Sequence, residues 1–210
     1  MDDIGHPYER LSPDVVIDAV ESRGYLSDAR ILALNSYENR VYQVGIEDQT
    51  PIIAKFYRPG RWQDEQILEE HEFTAQLLDL EVSVVPPLAD EQGNTLFTFN
   101  DFRFSLYLRQ GGQAPELDNF DHLLTIGRVI ARMHAYGKVS DFKHRPVLDI
   151  QSYAINSAKY LMSSGFIPAS LEEAYRTLSR DLIAKVESAF AKVDYSPIRI
   201  HGDCHPGNIL

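Results

Sequence analysis

RIHGDCHPGNIL, residues Arg199–Leu210, closes the chain, and its reading decides how everything before it is read. Two histidines, an aspartate, the single cysteine and an asparagine sit between an apolar approach (Pro197, Ile198, Ile200) and an apolar exit (Ile209, Leu210) that begins like a strand. Three readings compete for such a loop. Asp203 and Asn208 form turns and nothing more; or His201, Asp203, Cys204 and His205 ligate a metal; or the loop is catalytic. A closed zinc site draws ligand pairs from two separate places. The other histidines are His6, His71, His122, His134 and His144, and none of them lies beside a second cysteine.

The spacing His201-x-Asp203-x-x-x-x-Asn208 is that of a phosphotransferase catalytic loop. There the aspartate accepts or orients the proton of the attacking hydroxyl, and the asparagine holds magnesium on the nucleotide phosphates. Working outward, the remaining parts of such a machine occur in the required order. Lys55 stands alone among apolar neighbours in PIIAKFY (51–57), where a lysine on the third strand contacts the α- and β-phosphates. The following helix must supply a glutamate, and QILEEHEFTAQLL offers three. Helical spacing puts Glu70 on the stripe of Ile67, Thr74 and Leu77, whereas Glu69 and Glu72 fall outside it. A carboxylate on a core-facing stripe requires a cation, so Glu70 is expected within about 4 Å of Lys55, the ion-pair limit. LNSYENRVYQV (34–44) occupies the place of a phosphate-covering loop; it holds no glycine, and Ser36 with the backbone N–H groups near Tyr37–Asn39 is the available donor set. LYLRQGG (106–112) reads as the joint between two lobes.

The bulk numbers agree with a folded domain of this size. Of 210 residues, 44% are hydrophobic and 24% charged, and the formal net charge is −11. That charge argues against non-specific nucleic-acid binding, which needs clustered Lys and Arg. A lone cysteine, no signal-like N-terminus and no membrane-length apolar run make a soluble, cytoplasmic protein the expectation. Ser12-Pro13 opens a helix that Gly24 stops. Strands follow at 29–34, 40–46 and 51–57, then a helix over 63–80, then strands at 95–99 and 102–108 across an Asn100-Asp101 turn. Beyond Arg109 the pattern is helical: 120–136, near 150–163, and 171–193. Segregated strands and helices predict an α+β protein in two lobes, 1–108 binding nucleotide and 109–210 helical.

With these motifs in place the chain resembles the aminoglycoside-phosphotransferase and choline-kinase branch of the kinase-like fold, whose catalytic loop reads HGD-x-x-x-x-N. LNSYENRVYQ, AKFYRPGRW, QILEEHEF, Arg132-Met133-His134 and RIHGDCHPGNIL carry the resemblance over essentially the whole chain. It implies a bilobal protein-kinase-like fold and ATP-dependent phosphorylation of serine or threonine on proteins, with Mg2+. By position it implies Asp203 as proton acceptor, Asn208 as magnesium ligand, and Ser36 and Lys55 at the nucleotide, where Glu70 joins them as the expected partner of Lys55. From the residues alone, a small alcohol such as homoserine, choline or an aminoglycoside remains an alternative acceptor, as does a nucleotide-binding module without turnover. The family places a second magnesium-binding aspartate and further helices after the catalytic loop, and this sequence has neither. The expectation is therefore a longer polypeptide, with residues 1–210 alone inactive and an apolar face of helix 120–136 (Leu123, Leu124, Ile130, Met133) uncovered.

Overall fold

Ser12 caps the first helix, α1 (Pro13–Glu21): its side chain accepts the Val15 N–H at 3.3 Å, and Pro13 fills the first helical position. Gly24, at φ +87°, takes the left-handed conformation that releases the chain. These features come from a computed structural model describing residues 7–210. Val16, Ala19 and Val20 on one face of α1 are buried against the sheet that follows.

That sheet has five antiparallel strands in the order β1-β2-β3-β5-β4, with β1 Ser27–Leu34, β2 Arg40–Ile46, β3 Gln49–Phe56, β4 Phe97–Phe99 and β5 Phe102–Leu108. Alternation decides which side chains face α1. Ile52, Ala54 and Phe56 of β3 and Phe102, Phe104 and Leu106 of β5 are buried in one core with Val16 and Val20. Lys55, Tyr107 and Ser105 alternate onto the opposite face, with Lys55 directly across from Ser105. The turn between β4 and β5 places Asn100 at φ +46° and Asp101 at φ +68°, a two-residue reversal for which these residue types are suited. β1 is irregular: its register against β2 shifts between Ser27 and Ile31, Ala29 sits at φ +64°, and Asp28 pairs with Arg30. Gly45 of β2 leaves the space that the Asp28 carboxylate fills, since a Cβ there would lie 2.1 Å from Asp28 Oδ1.

Helix α2 (Asp64–Asp79) turns Ile67, His71, Phe73 and Leu77 inward. Helix α3 (Phe120–Gly137) joins a second core with it: Met133 is buried with Phe73, Leu77 and Val82, and the Tyr136 ring stacks on Phe73 at 6.2 Å. Arg132 donates to the carbonyls of Leu80 and Glu81, satisfying groups left open where α2 ends. The exposed apolar face expected on α3 is only partly there, because Leu123 and Leu124 are exposed while Met133 is buried in this second core.

The chain divides into two compact units. One extends to His144 and also takes in Arg199–Leu210; it therefore contains α3 and the closing loop as well as the sheet. The other, Arg145–Ile198, holds a single π-helical turn (Gln151–Ile155) running into α4 (Asn156–Ser163), a 3-10 turn (Ala169–Leu171) and α5 (Glu172–Phe190). Within this unit no residue of α4 or α5 is buried, and Leu178, Leu182 and Phe190 are exposed. Among the described residues no helix is long and apolar enough to cross a membrane.

Candidate active site

Strand β3 carries Lys55 and α2 carries Glu70, and the two meet: Lys55 Nζ lies 3.1 Å from Glu70 Oε1. The other two glutamates of QILEEHEFTAQLL are engaged elsewhere. Glu69 accepts the backbone N–H groups of Lys143 and His144, so it fixes a loop, and Glu72 is exposed beside Gln76. The pair is braced by a polar network that the sequence did not announce. His71 is hydrogen-bonded through Nε2 to the Tyr57 hydroxyl (2.7 Å) and through Nδ1 to Thr95 Oγ1 (2.8 Å), and the Tyr57 and Tyr107 hydroxyls are 3.3 Å apart. Lys55 Nζ sits 4.9 Å from the centre of the Tyr57 ring, near enough for a cation–π contact. Burial lowers the His71 imidazole to about 4 and raises the Tyr57 and Tyr107 hydroxyls, so all three are neutral near pH 7.

The closing loop is built largely from its own bonds. Gly202, at φ +81°, bends the chain after His201, and His201 Nδ1 accepts the Asp203 N–H at 3.2 Å. His205 caps the 3-10 turn Pro206–Asn208 by accepting the Gly207 N–H at 3.1 Å. Asn208 then reaches back, its Nδ2 donating to the Asp203 carbonyl (2.8 Å) and to Asp203 Oδ2 (3.0 Å). The amide N–H groups thus face the carboxylate, which leaves Asn208 Oδ1 as a hard oxygen donor of the kind magnesium takes, while Asp203 Oδ1 lies 3.7 Å from His205 Nε2. Among the described residues no three of His, Cys, Asp and Glu gather as a metal site, and Cys204 is exposed.

Arg199, two residues before His201, ties this loop to the helices. It is buried with its guanidinium 4.4 Å from the Phe73 ring centre and 5.1 and 5.6 Å from those of Tyr136 and Phe142, and Nη1 donates to Gln76 Oε1 at 3.3 Å. Its N–H donates to the Gly137 carbonyl, and a Cβ on Gly137 would fall 2.2 Å from the Arg199 oxygen. Only glycine fits there. At the other end, a Cβ on Gly112 would lie 2.7 Å from that of Leu210, so the loop exit abuts the segment leaving β5. Sequence reading missed Arg199, whose partners are 57 to 126 positions away (142 and 73 against 199) and leave no local pattern. Ser36 is placed in the loop between β1 and β2, where its hydroxyl donates to the Asn39 carbonyl at 2.9 Å.

The model of the phosphotransferase enzyme family matches residues 30–210. The chain belongs to that family. Among curated members, stress response kinase A of Escherichia coli K12 is 40% identical over all 210 residues, and a serine/threonine protein kinase of Salmonella typhimurium is 35% identical over the same span. The chain spans 63% of the length of each. Among solved structures, a spectinomycin phosphotransferase bound to ADP and its antibiotic superposes with a TM-score of 0.63 at 11% identity, over 92% of this chain and 63% of that one. An amicoumacin kinase bound to AMP-PNP superposes with a TM-score of 0.61 at 19% identity, over 82% and 51%. These likenesses give the fold of the phosphotransferase family: a mixed α+β architecture with an antiparallel sheet.

Proposed function

We propose that this phosphotransferase chain, as part of the longer polypeptide expected from its sequence, moves the γ-phosphoryl group of ATP to a serine or threonine hydroxyl of a protein. The observation that carries the reading is the Lys55–Glu70 pair at 3.1 Å, because a polar turn alone would account for the closing loop but not for a cation held at this strand position. In this reading residues 1–108 bind nucleotide and 109–210 present the acceptor side. Lys55, oriented by Glu70, binds the α- and β-phosphates, and backbone groups near Ser36 lie over them. Asp203 takes the proton of the attacking hydroxyl as its oxygen bonds to the γ-phosphorus and the bond to the β-phosphate oxygen breaks, releasing ADP. Asn208 Oδ1 fits as a ligand for Mg2+, which when bound would neutralise charge on the phosphates. The protein acceptor is supported by the names of the curated relatives, the serine/threonine kinase among them.

Transfer from γ-labelled ATP by the longer polypeptide expected to contain this chain tests this, with serine- and threonine-containing peptides offered beside homoserine, choline and an aminoglycoside. Label on peptide hydroxyls supports the reading. Label only on a small alcohol overturns the acceptor while keeping the reaction, and ATP binding with no transfer to any acceptor overturns the reaction.

A further inference from the structure

The loop Asn35–Asn39 stands where a glycine-rich loop would wrap phosphates, yet it has no glycine and a fully exposed Tyr37 at its tip. A loop of ordinary residues cannot fold itself down over a ligand by backbone freedom, so something else must hold it in place. The structure shows what does. The Glu38 carboxylate is gripped at both oxygens, accepting Arg61 Nε–H at 2.9 Å and Trp62 Nε1–H at 2.6 Å. The Glu38 carbonyl accepts the Tyr8 hydroxyl at 3.0 Å, and Asn39 Oδ1 accepts the Arg58 N–H at 3.4 Å. The two sequence motifs LNSYENR and FYRPGRW, separated in the chain, therefore form one bonded unit. Burial alone would raise the Glu38 carboxyl, but the bonds from Arg61 and Trp62 outweigh it and hold the group below the usual carboxylate range.

We propose that Glu38 is a positioning residue: it latches the 35–39 loop to the turn after β3, so that the loop's backbone N–H groups are held over nucleotide phosphate without glycines. Glu38 itself touches no phosphate; a carboxylate there would repel it. The inference rests on the phosphotransferase reading above.

Trp62 is the sole tryptophan, so its fluorescence reports the latch directly. In Glu38→Gln and Glu38→Ala, acrylamide should quench Trp62 more strongly, and the Kd for ATP should rise about tenfold, or roughly 1.4 kcal/mol. In the longer polypeptide expected to carry turnover, KM for ATP should rise in step, with kcat at saturating ATP within about twofold, the pattern of lost positioning and not of lost chemistry. Glu38→Asp should recover part of the affinity. Arg61→Met removes one donor from a half-exposed position and should move both readouts the same way by less, which keeps the test valid if the Glu38 variants fold poorly. Unchanged ATP affinity in Glu38→Ala, or a fall in kcat with KM intact, overturns the latch alone. Failure of the unsubstituted chain to bind ATP would overturn the phosphotransferase reading, and the latch with it.

Discussion

Lys55–Glu70 and Asp203–Asn208 are both hydrogen-bonded polar pairs, but they are held in contrasting ways. The first spans a strand and a helix, with Lys55 and Glu70 side chains 23% and 36% exposed, and a neutral Tyr57–His71–Thr95 network stands beside it. The second lies within six consecutive residues, its aspartate 77% exposed and its geometry set by a left-handed glycine, a histidine cap and one asparagine amide. Geometry that tertiary packing creates is lost with stability. Geometry that local bonds create can survive while the chemistry is deleted. The two halves should therefore fail differently.

The largest effect is expected at the exposed pair. In the longer polypeptide, Asp203→Asn keeps the loop's shape but removes the proton acceptor, so kcat should fall by about 10²–10⁴-fold while ATP affinity and the melting temperature stay close to those of the unsubstituted protein. Should melting fall as far as activity, the loop is not self-contained and the contrast collapses.

Acid should find the other half first. His71 is held at about 4 in the fold against 6.5 unfolded, so between these pH values the unfolded chain binds the extra proton and stability falls as pH drops. At pH 4 the loss approaches roughly 3 kcal/mol, from 1.36 kcal/mol per pH unit, and is absent above pH 6.5. Urea unfolding of His71→Asn beside the original chain isolates this share: the variant should show a flatter pH dependence over that window. Parallel curves would remove His71 from the account.

Gly137→Ala joins the two halves in one experiment. Its Cβ would press on the Arg199 backbone, not on a flexible side-chain end, and overpacking of this kind costs about 1–3 kcal/mol. Thermal melting should register the loss, and activity should drop with it because the strain enters the closing loop two residues before His201. The smallest effect belongs to Cys204→Ser, an exposed thiol assigned no chemistry, with stability within about 0.5 kcal/mol and turnover unchanged. Loss of activity in that folded variant would revive a role for the thiol.

The sequence was most informative where a local period or spacing carried the signal. Alternation in PIIAKFY singled out Lys55 among apolar neighbours, the 3.6-residue stripe set Glu70 apart from Glu69 and Glu72, and Asn100-Asp101 marked its own turn. What stayed hidden was non-local. Nothing around Arg199 says that Phe73, Tyr136 and Phe142 will surround its guanidinium, and nothing in Tyr57 or His71 names the other as partner. The joint expected at Arg109–Gly112 rested on a composition change alone, and the compact unit runs on to His144, with α3 packed on α2 through Phe73 and Tyr136.

The broken register of β1 matters for what the sheet does not do. An outermost strand with free backbone groups is a template on which another chain can add a strand and extend the array. Here the register break between Ser27 and Ile31, with Ala29 at positive φ, interrupts that template, and the opposite margin, β4, offers three residues only. Among the described residues both margins of the sheet are thus poor templates, which disfavours the edge-to-edge stacking of crowded folded copies that leads to fibrils.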